Sequence, residues 1–149
     1  MELLLMKREH LERVAELEQL CFSEPWSANA LELLLGNGAF AFVCTEGKEV
    51  LAYGGMLSVL DEGQITNIAV HPAHRRCGLG RRVLTAMLNE AARRGLFEIS
   101  LEVRISNHAA IALYEQHGFV CAGKRRGFYK HPTEDALVML RGRAASTCE

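Results

Sequence analysis

The sequence has little excess charge of either sign, because 17 lysines and arginines stand against 18 aspartates and glutamates, for a formal net charge of −1. Proteins that bind nucleic acid through its phosphate backbone usually carry a clear basic excess. The balance therefore predicts that the protein does not bind nucleic acid directly, although a local basic patch would still be compatible with it.

Paired cysteines and long apolar runs are also missing. The five cysteines are dispersed, with no C-x-x-C spacing among them, and such a set without a secretory signal is typical of reduced thiols in the cytoplasm. The apolar run Leu3 to Met6 is too short for a signal-peptide core or a membrane span. We therefore expect a cytoplasmic protein with no membrane partner.

No repeat, low-complexity block or flexible linker divides the 149 residues, so we expect one domain over residues 1–149. Apolar spacing predicts strands at 3–6, 40–45, 49–60, 64–70, 97–103, 119–128 and 136–140, and helices at 8–21, 27–35, 80–93 and 107–117. The order βααβββαβαββ indicates an α/β (α+β) protein, whose helices cover a mixed, mostly antiparallel sheet with one parallel pairing. We expect disorder in the tail, residues 141–149.

The stretch from His71 to Arg82 joins a strand to a helix through a loop rich in glycine and arginine. Backbone N–H groups at a helix start lack partners inside the helix, and glycines let them approach an anion such as a pyrophosphate. The loop is not a Walker A motif, because Arg81 and Arg82 follow Gly80. A dinucleotide fingerprint is excluded by the missing third glycine. The residues alone leave open an anion cradle or a tight loop with solvated arginines.

The segment Arg75-Arg76-Cys77-Gly78-Leu79-Gly80 matches the Q/R-x-x-G-x-G/A motif of the GNAT superfamily of N-acetyltransferases. The element order also resembles the GNAT fold over nearly the whole chain. The resemblance implies acetyl-CoA as cosubstrate, with its pyrophosphate on the loop, its pantetheine arm on the preceding strand, and a strand amide polarising the thioester carbonyl. The coenzyme-binding residues it implies are Ile68, Ala69, Val70, Arg75, Arg76, Cys77, Gly78, Leu79, Gly80, Arg81 and Asn107.

Three further segments resemble the RimI-like branch of that superfamily, the ribosomal-protein-alanine N-acetyltransferases. They are Cys21 to Ser27, Leu101 to Phe119, and Glu134 to Ala136. The resemblance implies Glu102 as general base and Tyr114 as general acid. It also implies that the acceptor is the N-terminal amine of a protein, with alanine first, and that the protein belongs to the small ribosomal subunit.

The chemistry of amine acetylation fits these two roles independently. An α-amino group has a pKa of about 7.7–8.0 against about 10.4 for lysine, so it needs only modest help from a carboxylate to become neutral. A tyrosine hydroxyl can protonate the departing thiolate. Without the resemblance, Glu102 would more often be a salt-bridged structural carboxylate, and Tyr114 a core aromatic.

Two aromatic residues are predicted to contact the acceptor peptide. The resemblance places Trp26 in a loop near the peptide groove and Tyr129 in a hairpin that borders it. By residue type alone, Trp26 could belong to the core and Tyr129 to a surface loop. Phe128 stands where the family usually has a second tyrosine, which implies one hydrogen bond fewer to the peptide.

His71, His74 and Cys77 are spaced three residues apart, as metal ligands can be. A zinc site needs a fourth protein ligand, or a convergent third one with an open position, and none is recognisable nearby. We therefore predict no metal site. A Cys–His nucleophile pair is equally unsupported, because direct attack by the amine needs no covalent intermediate.

The sequence thus predicts direct attack of an N-terminal amine on acetyl-CoA in a ternary complex. Two alternatives stay open. The acceptor could be another protein N-terminus, a lysine or a small amine, or the chain could be a non-catalytic acetyl-CoA-binding partner of a tRNA-modification assembly. The intact set of Glu102, Asn107 and Tyr114 favours the enzyme.

Overall fold

In the computed structural model, which describes residues 1–142, seven strands form one mixed sheet. The strands are β1 (Glu2–Leu5), β2 (Ala39–Glu46), β3 (Glu49–Val59), β4 (Glu62–Val70), β5 (Glu98–Arg104), β6 (Val120–Tyr129) and β7 (Glu134–Gly142). The helices are α1 (Leu11–Cys21), α2 (Ala28–Leu31), α3 (Leu79–Arg93) and α4 (His108–Gln116), and 3₁₀ turns cover Arg8–His10, Glu32–Leu35 and Pro72–His74. The chain order of strands and α-helices is the predicted one.

The strands lie in the order β1-β2-β3-β4-β5-β7-β6. Over the described residues, every neighbouring pair is antiparallel except β4 and β5, which confirms the predicted single parallel pairing. β4 and β5 pair only from Glu62 with Glu98 to Gln64 with Ser100. Beyond these pairs the two strands diverge, and β4 continues to Val70 without a partner in β5.

The predicted caps form, but one predicted helix is shorter than expected. Ser27 Oγ accepts a hydrogen bond from Ala30 N at 3.1 Å and so begins α2. The predicted helix over 27–35 becomes a 3₁₀ turn after Leu31. A 3₁₀ turn aligns residues three apart, and Leu31 and Leu34 are both fully buried against the sheet.

Successive residues of the strands alternate between two apolar clusters on opposite faces of the sheet. α1 and α2 cover one face, and α3 and α4 cover the other. The contact between α3 and the sheet is close at Gly54, where a Cβ atom would lie 2.4 Å from Met87 Sδ and 2.8 Å from Val83 Cγ1. Gly54 therefore sets how closely α3 approaches β3.

The last strand is longer than predicted. β7 reaches Gly142 because Arg141 and Gly142 pair with Ile99 and Glu98 of β5. The expected disorder is therefore wrong at residues 141 and 142, and the rest of that tail, 143–149, lies outside the described residues. Within residues 1–142 no helix is long and apolar enough to cross a membrane.

Candidate active site

A cavity of about 590 Å³ opens where β4 and β5 diverge. Its lining comes from the end of α1, the α1–α2 loop (residues 22–27), β3, β4, β5, the start and body of α4, and the end of β6. Six of the predicted site residues line it together: Trp26, Ile68, Glu102, Asn107, Tyr114 and Tyr129. The diverging strands therefore bring together residues that lie up to 103 positions apart in the sequence.

Glu102 lies in β5, where Leu101 and Val103 on either side point into the core. Its side chain is 17% exposed and accepts hydrogen bonds from Arg125 Nη1 at 3.1 Å and Gln64 Nε2 at 3.3 Å. The carboxylate is thus both salt-bridged and part of the cavity wall. The two interpretations that the sequence left open describe the same side chain.

Tyr114 lies in α4 and is buried, with its ring packed edge-to-face against Phe119 at a centroid distance of 5.7 Å. Burial raises the pKa of Tyr114 above the ordinary tyrosine value, and the neighbouring Tyr129 raises it further. Within the described chain its hydroxyl makes no hydrogen bond, and the residue lines the cavity. A protonated hydroxyl is therefore free to donate there.

Asn107 also borders the cavity, at the first turn of α4. Its Oδ1 atom accepts a hydrogen bond from Ala110 N at 3.2 Å, which caps the helix. The predicted cap is thus confirmed. The amide nitrogen of the same side chain remains as a donor for a ligand.

Sequence reasoning missed Glu18, which is fully buried beside the cavity. Its carboxylate accepts hydrogen bonds from Trp26 N at 2.9 Å, Asn67 Nδ2 at 2.9 Å and the Tyr53 hydroxyl. Burial, followed by the charge of Glu18, raises the pKa of Tyr53. The signal was present, because Glu18 falls four residues after Val14 on the buried stripe of α1.

Asn67 belongs to a β-bulge in β4. Gly54 pairs with Ile68 and Met56 with Ile65, so Thr66 and Asn67 together face Gly55. A bulge turns side chains away from the regular alternation, and both bulge residues line the cavity. Glu18 therefore holds the bulge and the α1–α2 loop in one fixed arrangement.

The loop predicted to cradle an anion, called the anion loop below (residues 71–78), follows β4. Gly78 has φ of +79°, a left-handed conformation that favours glycine. The first backbone bond of α3 runs from Arg82 N to Gly78 O at 3.0 Å, so the N–H groups of Leu79, Gly80 and Arg81 have no acceptor within the helix. These donors form a cradle suited to a phosphate group.

The arginines of this loop have different roles. Arg75 folds back, and its Nε donates to Val70 O at 3.1 Å while Nη2 lies 3.7 Å from Cys21 Sγ. Arg81 donates to Gln116 Oε1. Within residues 1–142, the exposed Arg76 makes no hydrogen bond or ion pair. Its charge is therefore available to an anion, while Arg75 and Arg81 brace the loop.

The other predicted coenzyme-binding residues are distributed around this cradle. Ile68 lines the cavity, whereas the side chain of Ala69 points into the core on the opposite face. Val70 O accepts from Arg75 and from Cys21 Sγ at 3.4 Å. Cys77 is exposed. Backbone, more than side chains, is what this segment offers to a ligand.

The histidines of the loop have structural contacts. His71 Nδ1 accepts from Ala73 N at 3.0 Å, and the His71 and His74 rings meet edge-to-face at 5.5 Å. In the part of the chain that the structure describes, no three His, Cys, Asp or Glu side chains form a group that could hold a metal ion.

The Acetyltransferase (GNAT) family matches residues 11–119 of the chain. The chain belongs to this family. Its fold and enzyme class are therefore those that the sequence predicted, and like other GNAT acetyltransferases it uses acetyl-CoA. The anion cradle at Gly78 is suited to the phosphates of that molecule.

Individual GNAT relatives are similar along most of the chain. The [ribosomal protein bS18]-alanine N-acetyltransferase of Escherichia coli is 41% identical over 127 residues, 83% of this chain and 84% of its own. The protein of that name in Haemophilus ducreyi is 34% identical over 130 residues, 85% and 90% of the two chains. A crystal structure of the E. coli alanine N-acetyltransferase for this ribosomal protein has a TM-score of 0.87 at 36% identity, over 95% of this chain and 92% of that one.

Proposed function

We propose that this GNAT acetyltransferase moves the acetyl group of acetyl-CoA to the N-terminal α-amine of a ribosomal protein whose first residue is alanine. The observation that carries the proposal is one cavity bordered by a carboxylate, Glu102, and a buried hydroxyl, Tyr114. The relatives named for this reaction, at 34–41% identity over more than four-fifths of the chain, support the acceptor.

Glu102 acts as the general base. The α-amine must lose a proton to attack the thioester, and its pKa of about 8 requires only a modest acceptor at neutral pH. Arg125 and Gln64 donate to the two carboxylate oxygens of Glu102 and fix their position. The proton that leaves the nitrogen is taken up by this carboxylate.

Tyr114 acts as the general acid. Its raised pKa keeps the hydroxyl protonated throughout the pH range in which the amine is neutral. The C–S bond of the thioester breaks as the C–N bond forms, and the Tyr114 hydroxyl gives its proton to the sulfur. One proton leaves the amine and one reaches the thiolate, so the enzyme is reset by a proton exchange with solvent.

The anion loop holds the cosubstrate. The loop shares this role with the end of β4, the first turn of α3 and the start of α4. The residues concerned are Ile68, Ala69, Val70, Arg75, Arg76, Cys77, Gly78, Leu79, Gly80, Arg81 and Asn107. The support is strongest for the amides of residues 79–81 and for the Arg76 guanidinium, which lack competing partners among the described residues. Acetyl-CoA supplies the activated acetyl group, and the protein supplies hydrogen-bond donors along the length of the acetyl-CoA molecule.

Trp26 and Tyr129 contact the acceptor peptide from two sides of the cavity. Trp26 belongs to the α1–α2 loop, and Tyr129 ends β6. Burial and the Glu102 charge raise the pKa of Tyr129 to about 12, so its hydroxyl remains a donor for a peptide carbonyl.

Incubation with acetyl-CoA and the N-terminal peptides of small-subunit ribosomal proteins tests the proposal. Mass spectrometry should place the acetyl group on the α-nitrogen of a peptide that begins with alanine. A matched peptide with a blocked N-terminus and an internal lysine serves as control. Acetylation of lysine or free small amines alone would reject the proposed acceptor.

A further inference from the structure

Arg104 lies two residues after Glu102 in β5 and binds the tip of the β6–β7 hairpin (residues 127–134). Its Nη1 donates to Pro132 O at 3.0 Å and Glu134 Oε1 at 3.1 Å, and its Nη2 donates to Lys130 O at 3.0 Å. The guanidinium also lies 4.5 Å from the centre of the Tyr129 ring. One side chain thus fixes the hairpin tip and the aromatic residue that faces the cavity.

The same guanidinium reaches the α1–α2 loop. Arg104 Nη2 donates to Ser23 Oγ at 3.3 Å, across 81 residues of sequence. Two hydrogen bonds link the α1–α2 loop and the hairpin tip directly. Ser23 Oγ donates to Lys130 O at 3.4 Å, and Lys130 N donates to Glu24 Oε1 at 3.0 Å. The two sides of the cavity therefore meet, and Arg104 is bonded to both.

We propose that Arg104 is a positioning residue that joins the α1–α2 loop to the hairpin tip and thereby sets the width of the acceptor entrance. The inference rests on the proposed function. A planar guanidinium with five donors can bond several acceptors on two segments at once, whereas a lysine ammonium cannot reproduce that fork. A narrow entrance admits the end of a chain. It disfavours an internal lysine, because the backbone continues on both sides of that residue.

The contacts of Glu102, the proposed base, are separate from the hydrogen bonds by which Arg104 joins the α1–α2 loop to the hairpin tip. Glu102 is held by Arg125 and Gln64, and Arg104 is not among its partners. Arg104 belongs to neither apolar cluster, and its hydrogen-bond partners lie in the α1–α2 loop and at the hairpin tip. Loss of Arg104 should therefore change how the peptide is held and leave the chemistry and the anion loop largely as they are.

The experiment compares Arg104→Lys and Arg104→Met with the wild-type protein and with Arg13→Met, which removes an exposed arginine paired with Glu16 on α1. We expect the KM for an alanine-initiated peptide to rise about tenfold in both Arg104 variants, because the variants lose binding that the ground state and the transition state share. The value of kcat should stay within about threefold, and acetyl-CoA affinity by calorimetry within about twofold. A kcat loss with unchanged KM would overturn the proposal.

A second measurement separates an entrance role from general loosening. On a peptide with a free N-terminus and one internal lysine, the ratio of α- to ε-acetylation should fall at least about fivefold in the Arg104 variants. Ser23→Ala, which removes only the loop-side bond, should lower the ratio in the same direction and less. An unchanged ratio in all three variants would overturn the proposal.

Trp26 is the one tryptophan in the sequence, so its fluorescence reports on the α1–α2 loop without substrate or turnover. Quenching by acrylamide should increase in the Arg104 variants and stay unchanged in Arg13→Met. If the wild-type protein fails to acetylate the peptide, the proposed function is wrong. The quenching measurement still tests whether Arg104 holds the α1–α2 loop. Equal quenching in wild type and Arg104 variants would show that Arg104 does not hold the loop.

Discussion

Glu102 offers the most direct test of the proposed chemistry. Glu102→Gln keeps the shape of the side chain but removes the basic oxygen, so we expect turnover to fall about 100-fold or more. Acetyl-CoA affinity should change little, because the anion loop does not contact Glu102. Glu98→Gln, on the same strand but outside the cavity lining, is the matched control. Loss of acetyl-CoA binding in Glu102→Gln, measured by calorimetry, would contradict the assignment.

Tyr114 makes a prediction about pH. Activity should rise as the α-amine loses its proton near pH 8. Because burial raises the pKa of Tyr114, the protonated acid persists above pH 10, where an ordinary tyrosine would ionise, and the plateau should extend to that pH. A descending limb centred below pH 9.5 in steady-state rates, lost in Tyr114→Phe, would show an acid of lower pKa.

The two catalytic candidates could be named from the sequence because the segment that holds both, Leu101 to Phe119, resembles the RimI-like enzymes. The buried stripe of α1 marks Glu18 as buried, but the hydrogen-bond partners of Glu18 and Arg104 could not be predicted, since they lie far away in the chain. Glu18 reaches Asn67 across 49 residues, and Arg104 reaches Ser23 across 81. Periodicity indicates which face of an element is buried, but it does not specify the polar group opposite that face.

At the scale of elements, the close packing of α3 against the sheet at Gly54 can be tested by one substitution. Gly54→Ala would place a Cβ atom 2.4 Å from Met87 Sδ and 2.8 Å from Val83 Cγ1, both on fully buried residues. Overpacking of this kind costs about 1–3 kcal/mol in the free energy of unfolding. Gly123→Ala, on β6 with no atom within 4 Å of its added Cβ, controls for the loss of glycine. Urea unfolding that ranks the two variants equally would contradict this packing.

Element boundaries were predictable where a cap or a glycine marks them. Ser27 and Asn107 begin their helices as expected, because the side chain of each accepts a hydrogen bond from the backbone N–H three residues later. The change to a 3₁₀ turn after Leu31 was not predictable, since it follows from packing against the sheet. The extension of β7 to Gly142 likewise depends on pairing with β5.

At the scale of the whole molecule, acetyl-CoA should stabilise the fold. A ligand at 100 times its Kd adds about 2.7 kcal/mol, which corresponds to a rise in Tm of roughly 5–10 °C for a chain of this size. Gly78→Ala strains the left-handed residue of the anion cradle, so at the same acetyl-CoA concentration this rise should fall by more than half.

Gly47→Ala is the control for the thermal measurement. Gly47 also has positive φ, +61°, and like Gly78 has no atom within 4 Å of an added Cβ, so it carries the same backbone strain in the β2–β3 turn. It should lower Tm without ligand and keep the full rise with acetyl-CoA. If calorimetry shows that acetyl-CoA raises Tm equally in both variants, the anion cradle is not part of the coenzyme site.

The overall arrangement was predicted as far as the chain order implies it. The β-α-β unit around α3 predicts the parallel neighbours β4 and β5, and turns predict the antiparallel meander of β2 to β4. The insertion of β7 between β5 and β6 could not be read from that order. It depends on long-range pairing, from Glu98 with Gly142 to Arg104 with Ala136.

Over residues 1–142, the ladder between β4 and β5 contains three residue pairs, so the sheet consists of two smaller sheets joined along a short seam. Trp26 and the anion loop belong to one side, and Glu102, Tyr114 and Tyr129 to the other. At the middle of the seam, Gly63 faces Ile99, and a Cβ there would lie 2.8 Å from Met56 Sδ. The relative position of the two sides of the cavity therefore depends on a residue that has no side chain and lies outside the cavity lining.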